Sequence, residues 1–431
     1  MKYYDLVVIG GGSGGLSGAI SAYDNGVKNI LVLEKEGFLG GILLQCVHNG
    51  FGLHTFKEEL TGPEYADRFV KELINRKIEY KVNTFVSEIN KCENGFSIIY
   101  SNEYEGYVNI QAKAIICSTG CSERTRGEIS LQGDRPSGVM TAGMAQKYLN
   151  LEGYLVGKNV FILGSGDIGL IMARRMKLEG ANVLGVAELM PYSNGLNRNI
   201  VQCLEDYNIP LYLSHTVKRV VGKERLEEVI IQEVDEEQKF VEGTEKHFKC
   251  DTLLLSVGLI PNNPLLTTLG VEMHPRTKGP IVDEYLQTNI DGVFVCGNSL
   301  HVHDLVDFVT NEGSICGISV AKYIDNQLET SNKVNINNGN GVSYVLPKTM
   351  YLNEDKTFKL NFRVNKPYKD VELIIKQNNK IIKKQKKAYL IPAEMESVVI
   401  AKKDILSQDD IIVEVVEWKS WFVLCVLKDV I

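Results

Sequence analysis

The hydrophobic residues of this chain gather in short runs, and most runs end at a glycine or at an acidic residue. Short apolar runs without polar alternation are typical of strands that are buried on both faces of a parallel sheet. The pattern predicts an α/β fold. The predicted strands, with the turns that end them, span residues 5–9, 29–33, 114–120, 161–163, 182–187, 250–262 and 288–298.

A glycine-rich turn follows the first apolar run. Gly10, Gly12 and Gly15 fit the pattern G-x-G-x-x-G, and a helix is predicted to open at Ser13. In this pattern the first glycine permits a tight turn, the second lets the backbone approach a pyrophosphate, and the third lets helix and strand pack closely. The helix N-terminus offers N–H groups to the phosphates. The next strand ends at Glu34, whose carboxylate can hold a ribose diol.

The same arrangement recurs in the middle of the chain. Residues 164–169 repeat G-x-G-x-x-G after an apolar run, and the next strand ends at Glu188. Glu34 lies 24 positions after Gly10, and Glu188 lies 24 positions after Gly164. The shared spacing predicts two Rossmann units.

Other local sequence signals predict further elements within the first 325 residues. The glycine-rich loop 37–52 is expected to lie against a cofactor. A helix is predicted over 61–77, because Thr61 can cap it and Glu64 completes a capping box. Short strands are predicted over 78–101, residues 121–155 are expected to cross between units, and a helix is predicted over 304–324.

The pattern of hydrophobic and polar residues changes towards the C-terminus. Residues 330–341 are rich in Asn and Gly and predict a linker. Apolar and polar residues then alternate, which predicts a small all-β domain over 342–431 with a hairpin turn at 378–380. The late apolar run 421–427 is strand-length. A cluster of lysines on one predicted strand indicates either an anionic partner or a solvated strand that resists aggregation: Lys380, Lys383, Lys384, Lys386 and Lys387.

Composition narrows the classes of function. The chain has 431 residues, 44% of them hydrophobic, and a net charge of −7, which suggests two to four domains and no nucleic-acid partner. The nine cysteines include no C-x-x-C pair, so no metal site is predicted, and a reduced, cytoplasmic setting is expected. The fold begins within a few residues of Met1, and no apolar run is long enough to span a membrane.

The order of these motifs resembles that of the two-dinucleotide-binding-domain flavoproteins, the pyridine nucleotide-disulfide oxidoreductases. The motifs are the two glycine loops, Ser118-Thr119-Gly120, residues 257–262 and Gly297-Asn298. The resemblance covers about residues 1–328. It implies an NAD(P)H-binding domain (123–256) inserted in a split FAD-binding domain (1–122 and 257–328), followed by the linker (329–341) and the β domain (342–431).

The resemblance also implies the cofactors, FAD and NAD(P)H. NADH is expected to be preferred, because the Glu188 carboxylate accepts hydrogen bonds from a ribose and repels a 2′-phosphate. The residues that the motifs assign to cofactor binding are Gly10, Gly12, Ser13, Gly14, Gly15, Glu34, Lys35, Gly41, Thr119, Gly120, Gly164, Gly166, Asp167, Ile168, Gly169, Glu188, Gly258, Gly297 and Asn298.

Within the superfamily the chain looks like a branch without a redox disulfide, similar to the opine oxidase A subunit, the hydrogen cyanide synthase subunit and the sarcosine oxidase alpha subunit. Proteins of this kind often accompany an FAD-dependent glycerol-3-phosphate dehydrogenase. Cys46 stands alone in its loop, and only Cys203 lies near the second unit. Asn298 replaces the Asp that the superfamily expects to hold a ribityl hydroxyl; an amide can still make that hydrogen bond.

This resemblance implies hydride transfer between NAD(P)H and FAD, with electrons passing to or from a partner protein or a small substrate. Two alternatives stay open: a flavin-bearing subunit of an amine, opine or glycerol-3-phosphate dehydrogenase complex whose role is mainly docking, and a simple NADH oxidase. The resemblance does not identify the substrate or the electron acceptor.

Four residues are candidates for catalysis. Cys46 and His48 lie two apart and could form a thiolate–imidazolium pair, or Cys46 could be a structural cysteine that lines the flavin pocket. His301 and His303 follow the last glycine motif and are expected at a helix N-terminus near the flavin. They could act as acid–base groups or make loop and capping hydrogen bonds. Cys117 and Cys121 flank the Ser-Thr-Gly turn and are expected to pack.

Overall fold

The structure is a computed structural model that describes residues 2–353, 357–378 and 380–417. It contains two separate Rossmann-like sheets and a C-terminal β unit, which confirms the predicted α/β class. No helix within these described residues is long and apolar enough to cross a membrane. The predicted strand at 421–427 lies outside the described residues.

The first sheet is built mainly from the start of the chain. The elements there are β1 (Lys2–Ile9), α1 (Ser13–Asp24), β2 (Ile30–Leu33), a 3-10 helix (Gly41–Gln45), α2 (Gly62–Asn75), β3 (Glu79–Lys81), β4 (Phe85–Cys92), β5 (Gly95–Asn102), β6 (Gly106–Cys117) and β7 (Cys121–Glu123). The strand order is β3-β2-β1-β6-β5-β4. Strands β1, β2, β3 and β6 run parallel, whereas β4 and β5 form an antiparallel extension.

The start of α2 shows how local sequence chemistry sets an element boundary. The Thr61 hydroxyl accepts from the N–H of Glu64 (3.4 Å), and the Glu64 carboxylate accepts from the N–H of Thr61 (2.8 Å). This reciprocal capping box satisfies two N–H groups that the helix itself cannot. The predicted helix is therefore confirmed, and it ends at Asn75 rather than at Lys77.

The second sheet occupies the middle of the chain. Its region contains β8 (Val139–Thr141), α3 (Ala142–Asn150), β9 (Asn159–Leu163), α4 (Asp167–Leu178), β10 (Asn182–Ala187), α5 (Asn197–Cys203), β11 (Leu211–Tyr212), β12 (His215–Gly222), β13 (Leu226–Glu233), β14 (Lys246–Lys249) and β15 (Thr252–Leu255). The parallel order is β11-β10-β9-β15-β8, and β12-β13-β14 form a separate antiparallel sheet. The segment expected only to cross between units thus supplies β8 and α3.

The chain then returns to the first sheet. The returning elements are β16 (Leu259–Pro261), α6 (Pro264–Leu269), β17 (Val293–Val295) and α7 (Val306–Ile324). Strand β17 pairs in parallel with β6, with Val295 opposite Cys117. The second sheet is therefore an insertion between parts of the first, as expected, while the predicted domain boundaries stay predictions.

Helices α1 and α7 pack against each other at contact distance along two glycines of α7. A Cβ on Gly313 would lie 2.3 Å from the carbonyl oxygen of Gly14, and a Cβ on Gly317 would lie 2.3 Å from that of Gly18. The Ser17 hydroxyl donates to the carbonyl of Thr310 (2.6 Å) across the contact. Glycine is required here because any side chain would collide with backbone atoms of α1.

The C-terminal unit consists of two sheets around one apolar core. Its strands are β18 (Lys333–Asn338), β19 (Val342–Leu346), β20 (Thr349–Tyr351), β21 (Thr357–Val364), β22 (Tyr368–Gln377), β23 (Lys380–Leu390), β24 (Glu396–Ala401) and β25 (Ile411–Glu417). The strand orders are β20-β18-β25-β22-β23 and β19-β21-β24. Gln377 lies opposite Lys380 in the antiparallel pair of β22 and β23, which confirms the hairpin.

The predicted linker is wrong for residues 333–338, which form β18. Val334 and Ile336 alternate inward and are fully buried, whereas the side chains of Asn335 and Asn337 donate to Asp410. The asparagines that suggested a linker occupy the outward-facing positions of this strand, in which successive side chains point to opposite faces. The β unit therefore begins at Lys333.

The lysine cluster lies on β23, an edge strand of its sheet. Lys384 pairs with Glu372 (2.5 Å) and Lys387 with Glu396 (2.6 Å), while Lys383 donates to the carbonyl of Val399 (2.6 Å). These contacts within the chain support the interpretation of a charged, aggregation-resistant edge.

The β unit is fastened to the first Rossmann unit by buried polar contacts. The Lys402 ammonium is 5% exposed and pairs with Glu284 (2.8 Å). Beside it the Tyr351 hydroxyl donates to Asp283 (3.0 Å), and burial raises the pKa of Asp283 to about 6.

We expect this contact to make stability depend on pH. The pKa of Asp283 is higher in the folded protein than in the unfolded chain, so folding favours the protonated carboxyl. This contribution to the free energy of unfolding is fully present below the unfolded pKa near 3.8 and is lost as the pH rises through about 6. The loss amounts to up to about 3 kcal/mol. Asp283→Asn should lack this loss, so the variant should gain stability relative to the parent protein between pH 4 and 8. Denaturant midpoints across that range measure the difference. Asp325→Asn, an exposed control, should follow the parent, and a pH-independent effect of Asp283→Asn would contradict the assignment.

Candidate functional site

The first glycine loop joins β1 to α1. Gly10 has a φ of +107°, and a Cβ there would lie 2.2 Å from the carbonyl oxygen of Ser118. A Cβ on Gly15 would lie 2.0 Å from the carbonyl oxygen of Gly10. The space beside Gly12 is open, because its nearest neighbour would be the Cα of Gly41 at 3.9 Å. Two glycines therefore serve the turn and the packing, and the middle one leaves room for a ligand.

The second loop, between β9 and α4, has the same construction. Gly164 has a φ of +99°, and a Cβ there would lie 2.1 Å from the carbonyl oxygen of Ser256. A Cβ on Gly169 would lie 2.7 Å from the carbonyl oxygen of Gly164, whereas one on Gly166 would meet nothing nearer than 3.6 Å. The two predicted loops thus share one geometry.

Both loops fit a bound pyrophosphate. Helix α1 begins after Gly12 and α4 after Gly166, and within the described residues neither N-cap makes a side-chain capping hydrogen bond. Backbone N–H groups at a helix N-terminus, beside an open glycine, form a site suited to an anion. The structure brings Ser13, Gly14 and Ile168 into these first turns.

Each loop is braced by the acidic residue that ends the following strand. Glu34 is buried and accepts from the N–H groups of Gly11 (2.6 Å) and Glu36 (2.8 Å). Glu188 is likewise buried and accepts from the N–H of Ser165 (2.9 Å) and from its hydroxyl (2.6 Å). The two carboxylates thus lie beside the glycine loops, where the sequence predicts ribose binding, and they also hold the loop backbones.

Three further predicted segments gather around the first loop. Gly40 donates its N–H to the carbonyl of Gly11 (2.9 Å), which places Gly41 against Gly12. The Ser118 N–H donates to the carbonyl of Ile9 (2.8 Å), so the turn with Thr119 and Gly120 lies at the same sheet edge. That turn meets the 257–262 motif, because the Thr119 hydroxyl donates to the carbonyl of Asn262 (2.6 Å) and Arg124 donates its N–H to the carbonyl of Gly258 (3.0 Å).

Two of the residues predicted to bind cofactor, Asp167 and Lys35, make contacts within the chain. Asp167, in the first turn of α4, accepts from the N–H of Leu196 (2.9 Å) and from the side chain of Asn199 (2.7 Å). It therefore anchors the segment before and within α5. The Lys35 side chain is 63% exposed, with its ammonium 3.9 Å from Glu36.

Of the two alternatives for Cys46, the structure favours a structural cysteine over a thiolate–imidazolium pair with His48. Cys46 follows a 3-10 helix rather than lying in a strand, and burial raises the pKa of its thiol to about 12. Burial lowers the pKa of His48, whose Nδ1 contacts the carbonyl oxygen of Asn49 (3.0 Å). No hydrogen bond joins the two side chains among the described residues. Cys46 is a protonated thiol near Gln146 (4.0 Å).

His301 and His303 lie before α7 and meet a residue that the sequence did not single out, Glu312. His301 Nε2 is 3.2 Å from Oε1 of Glu312, and His303 Nε2 is 3.0 Å from its Oε2. Oε2 also accepts from the N–H of Gly297 (2.6 Å). Burial lowers the pKa of His301; burial opposes ionisation of Glu312 as well, but the two imidazoles hold its pKa well below the usual range.

The last glycine motif is held from two sides. The side-chain oxygen Oδ1 of Asn298 accepts from the N–H of His303 (3.0 Å), and the side-chain NH₂ group of Asn298 donates to the Sγ of Cys121 (3.6 Å). Asp307, also missed from the sequence, is buried and accepts from the N–H groups of Gly52 (3.2 Å) and Thr55 (2.8 Å). Asp307 could have been found from the sequence as an acidic residue in the first turn of a predicted helix, where the helix N-terminus favours negative charge.

Eight cysteines lie in the described residues, and all eight are free. Three of them are buried together where β6, β17 and α7 meet: Cys117, Cys296 and Cys316. The thiols of Cys296 and Cys316 are hydrogen-bonded, and burial raises the pKa of Cys316 well above its ordinary value. Burial likewise raises the pKa of the Cys117 thiol to about 12.

Comparison with known proteins identifies the family. The model described as pyridine nucleotide-disulphide oxidoreductase matches residues 4–313. Dihydrolipoyl dehydrogenase of Acholeplasma laidlawii is 28% identical over 320 residues, covering 69% of this chain and 90% of that protein. The opine oxidase A subunit of Agrobacterium tumefaciens (strain Ach5) is 23% identical over 318 residues, covering 69% of this chain and 61% of that protein.

Among solved structures, thioredoxin reductase from T. acidophilum has a TM-score of 0.62 and 25% identity, covering 76% of this chain and 99% of that one. The family match includes both glycine loops and both bracing carboxylates. The chain therefore belongs to the pyridine nucleotide-disulphide oxidoreductase family, whose members are FAD-dependent oxidoreductases of NAD(P)H.

Proposed function

We propose that this protein oxidises NADH with FAD and passes the electrons to a partner protein or a small substrate without an internal redox disulfide. The observation that carries the proposal is the pair of braced glycine loops on two separate sheets, together with the absence of a disulfide among the eight described cysteines. The similarity to the opine oxidase A subunit supports a place in a branch that hands electrons to another protein of a complex. A redox protein as partner is supported by the similarity to thioredoxin reductase. The cytoplasmic setting stays a prediction.

FAD supplies the two-electron chemistry when bound. In our assignment the residues around Gly12 and Glu34 hold FAD, and those around Gly166 and Glu188 hold NADH. The carboxylates keep each loop in shape before a ligand arrives, because they accept hydrogen bonds from Gly11 and Ser165. Such preorganisation reduces the cost of ordering the loop on binding.

A second candidate is a flavin-bearing subunit with mainly a docking role, as in a dehydrogenase complex. The observation that favours it is the attachment of the β unit beside the last glycine motif. Arg363 of β21 pairs with Asp304 and donates to the carbonyl of Val302 (3.2 Å), while Met395 donates its N–H to Asp304 (2.7 Å). A partner bound to the β unit would thus lie near the predicted flavin site.

Anaerobic reduction by NADH separates these candidates. The purified protein should carry FAD that acid precipitation releases completely, and NADH should bleach the flavin rapidly in the absence of oxygen. Glycerol 3-phosphate and amino acids, tested in the same way, would identify a substrate that reduces the flavin instead. A flavin that no nucleotide bleaches would favour the docking role, rapid reoxidation by oxygen alone would favour an NADH oxidase, and protein that cannot be reconstituted with FAD would contradict both.

NADH should reduce the protein more efficiently than NADPH, because the Glu188 carboxylate repels a 2′-phosphate. Glu188→Gln keeps an acceptor for Ser165 but removes the charge, so the preference should fall about tenfold, equivalent to roughly 1.4 kcal/mol. The ratio of kcat/KM for the two nucleotides measures this. Glu179→Gln, on the exposed end of α4, is the matched control and should keep the preference. Equal efficiency of both nucleotides with the parent protein would show the assignment of Glu188 to be wrong.

Anaerobic titration with dithionite tests the absence of a redox disulfide. We expect uptake of two electrons per FAD, because the described cysteines are free thiols and Cys46, whose pKa burial raises to about 12, has no cysteine partner among them. Uptake of four electrons with a thiolate-to-flavin charge-transfer band would reveal a disulfide that the structure does not contain. Cys316→Ala would then return the uptake to two if Cys296 and Cys316 were the pair, and Cys203→Ala would serve as its control.

A further inference from the structure

Two histidines and a glutamate meet below the last glycine motif, and the family assignment gives them no role. His301 is 1% exposed and Glu312 is 8% exposed. The candidate ligand atoms of His301, His303 and Glu312 all lie within 4.8 Å of one another. The sequence predicts no metal site, because the three residues belong to a loop and a helix whose approach depends on the tertiary fold.

The distances in this cluster suit a metal ion. A tetrahedral zinc site with bonds of about 2.0–2.1 Å places neighbouring ligand atoms roughly 3.3 Å apart. The two observed distances between imidazole nitrogen and carboxylate oxygen are 3.2 and 3.0 Å. Two imidazoles and one carboxylate are also a ligand set that zinc uses when it keeps a position open.

Hydrogen bonding alone leaves the cluster incompletely satisfied. Nδ1 of His301 is buried and has no hydrogen-bond partner among the described residues. Burying an imidazole in this way costs free energy. With a metal ion on the lone pair of Nε2, the ring proton would sit on Nδ1, so this nitrogen would still need an acceptor when the ion is bound.

The cluster also has an open side. His301, His303 and Glu312 line a cavity of about 260 Å³ between α7 and the β unit. Phe308 and Phe358 contribute apolar walls, and Lys322 and Lys359 add positive charge. A metal ion held by the three residues could therefore take a water molecule or a small anion from the cavity as a further ligand.

We propose that His301, His303 and Glu312 bind one divalent transition-metal ion of the zinc class. The ion would also brace the last glycine motif, because Glu312 accepts from the N–H of Gly297 and Asn298 accepts from the N–H of His303. This proposal concerns the chain's own residues and does not rest on the proposed electron transfer.

Cobalt binding tests the site in the purified full-length protein with its flavin. After treatment with a chelator, the protein should take up one equivalent of Co²⁺, with the d–d absorption of a nitrogen- and oxygen-ligated ion, and Zn²⁺ should displace it. His303→Gln should weaken Co²⁺ binding by at least about 100-fold, since loss of even an outer-shell contact costs 10–100-fold. Far-UV circular dichroism of each variant shows whether it is folded.

The matched control is His247→Gln. His247 is exposed and also lies near two glutamates, with Nδ1 3.2 Å from Glu228 and Nε2 3.8 Å from Glu245. This variant should bind Co²⁺ as the parent does. If His303→Gln does not fold, Glu312→Gln replaces it, and a rise of the parent's thermal midpoint on adding Zn²⁺ gives a measurement without any variant.

Three outcomes would overturn the proposal. The parent protein could bind Co²⁺ no more tightly than His303→Gln, which would make the cluster a purely hydrogen-bonded one. Loss of Co²⁺ binding in His247→Gln alone would place the ion at the surface cluster. A thermal midpoint that Zn²⁺ leaves unchanged, without stoichiometric Co²⁺ uptake, would exclude the site independently of folding.

Discussion

The contact between α1 and α7 is the constraint on which the rest of the first unit depends. These helices are about 300 residues apart in the chain, yet Gly313 and Gly317 allow their backbones to touch along two turns. The serines of α1 add hydrogen bonds to carbonyl oxygens of α7. Because packed backbones tolerate no added volume, this contact fixes the position of α7 and of the loop that precedes it.

The loop before α7 shows the consequence. It carries His301, His303 and Asp304, and it lies between the glycine motif on one side and the β unit on the other. Glu312 of α7 reaches back to this loop, while Arg363 of β21 reaches it from the opposite side. The buried pair of Arg363 and Asp304 is a costly arrangement unless its hydrogen bonds are satisfied. Here the remaining N–H groups of Arg363 donate to the Tyr344 hydroxyl and to the carbonyls of Val302, Pro392 and Ala393. The C-terminal unit therefore forms part of the wall of the site.

The family is named for a disulfide, whereas the eight cysteines that the structure describes are free thiols. Burial raises the pKa values of the Cys46, Cys117 and Cys316 thiols, whereas a nucleophilic thiolate needs a lowered pKa. The glycine loops of both units have the open geometry that suits a bound pyrophosphate. The proposed transfer of electrons from the flavin directly to another molecule is compatible with these observations, and the proposed metal ion would lie beside the cavity that His301 and His303 line.

Local sequence determined much of this protein. The glycine loops, their acidic residues 24 positions on, the capping box of Thr61 and the hairpin after Gln377 follow from short-range rules, because turn geometry, capping and strand period act over a few residues. Residues 333–338 show where composition fails to predict structure. Their asparagines suggested a linker, but the residues form a strand whose alternate positions are buried by neighbouring strands.

The site was decided by the tertiary structure. Cys46 lies at the end of a 3-10 helix that contacts α3 through Gln45, and no local sequence pattern predicts this placement. The meeting of His301 and His303 with Glu312 requires α7 to be held by α1, and the closing of the cavity requires the β unit to dock through Asp304 and Glu284. Sequence spacing fixes contacts within an element, whereas contacts between elements depend on how their buried faces pack together, and that is a property of the whole fold.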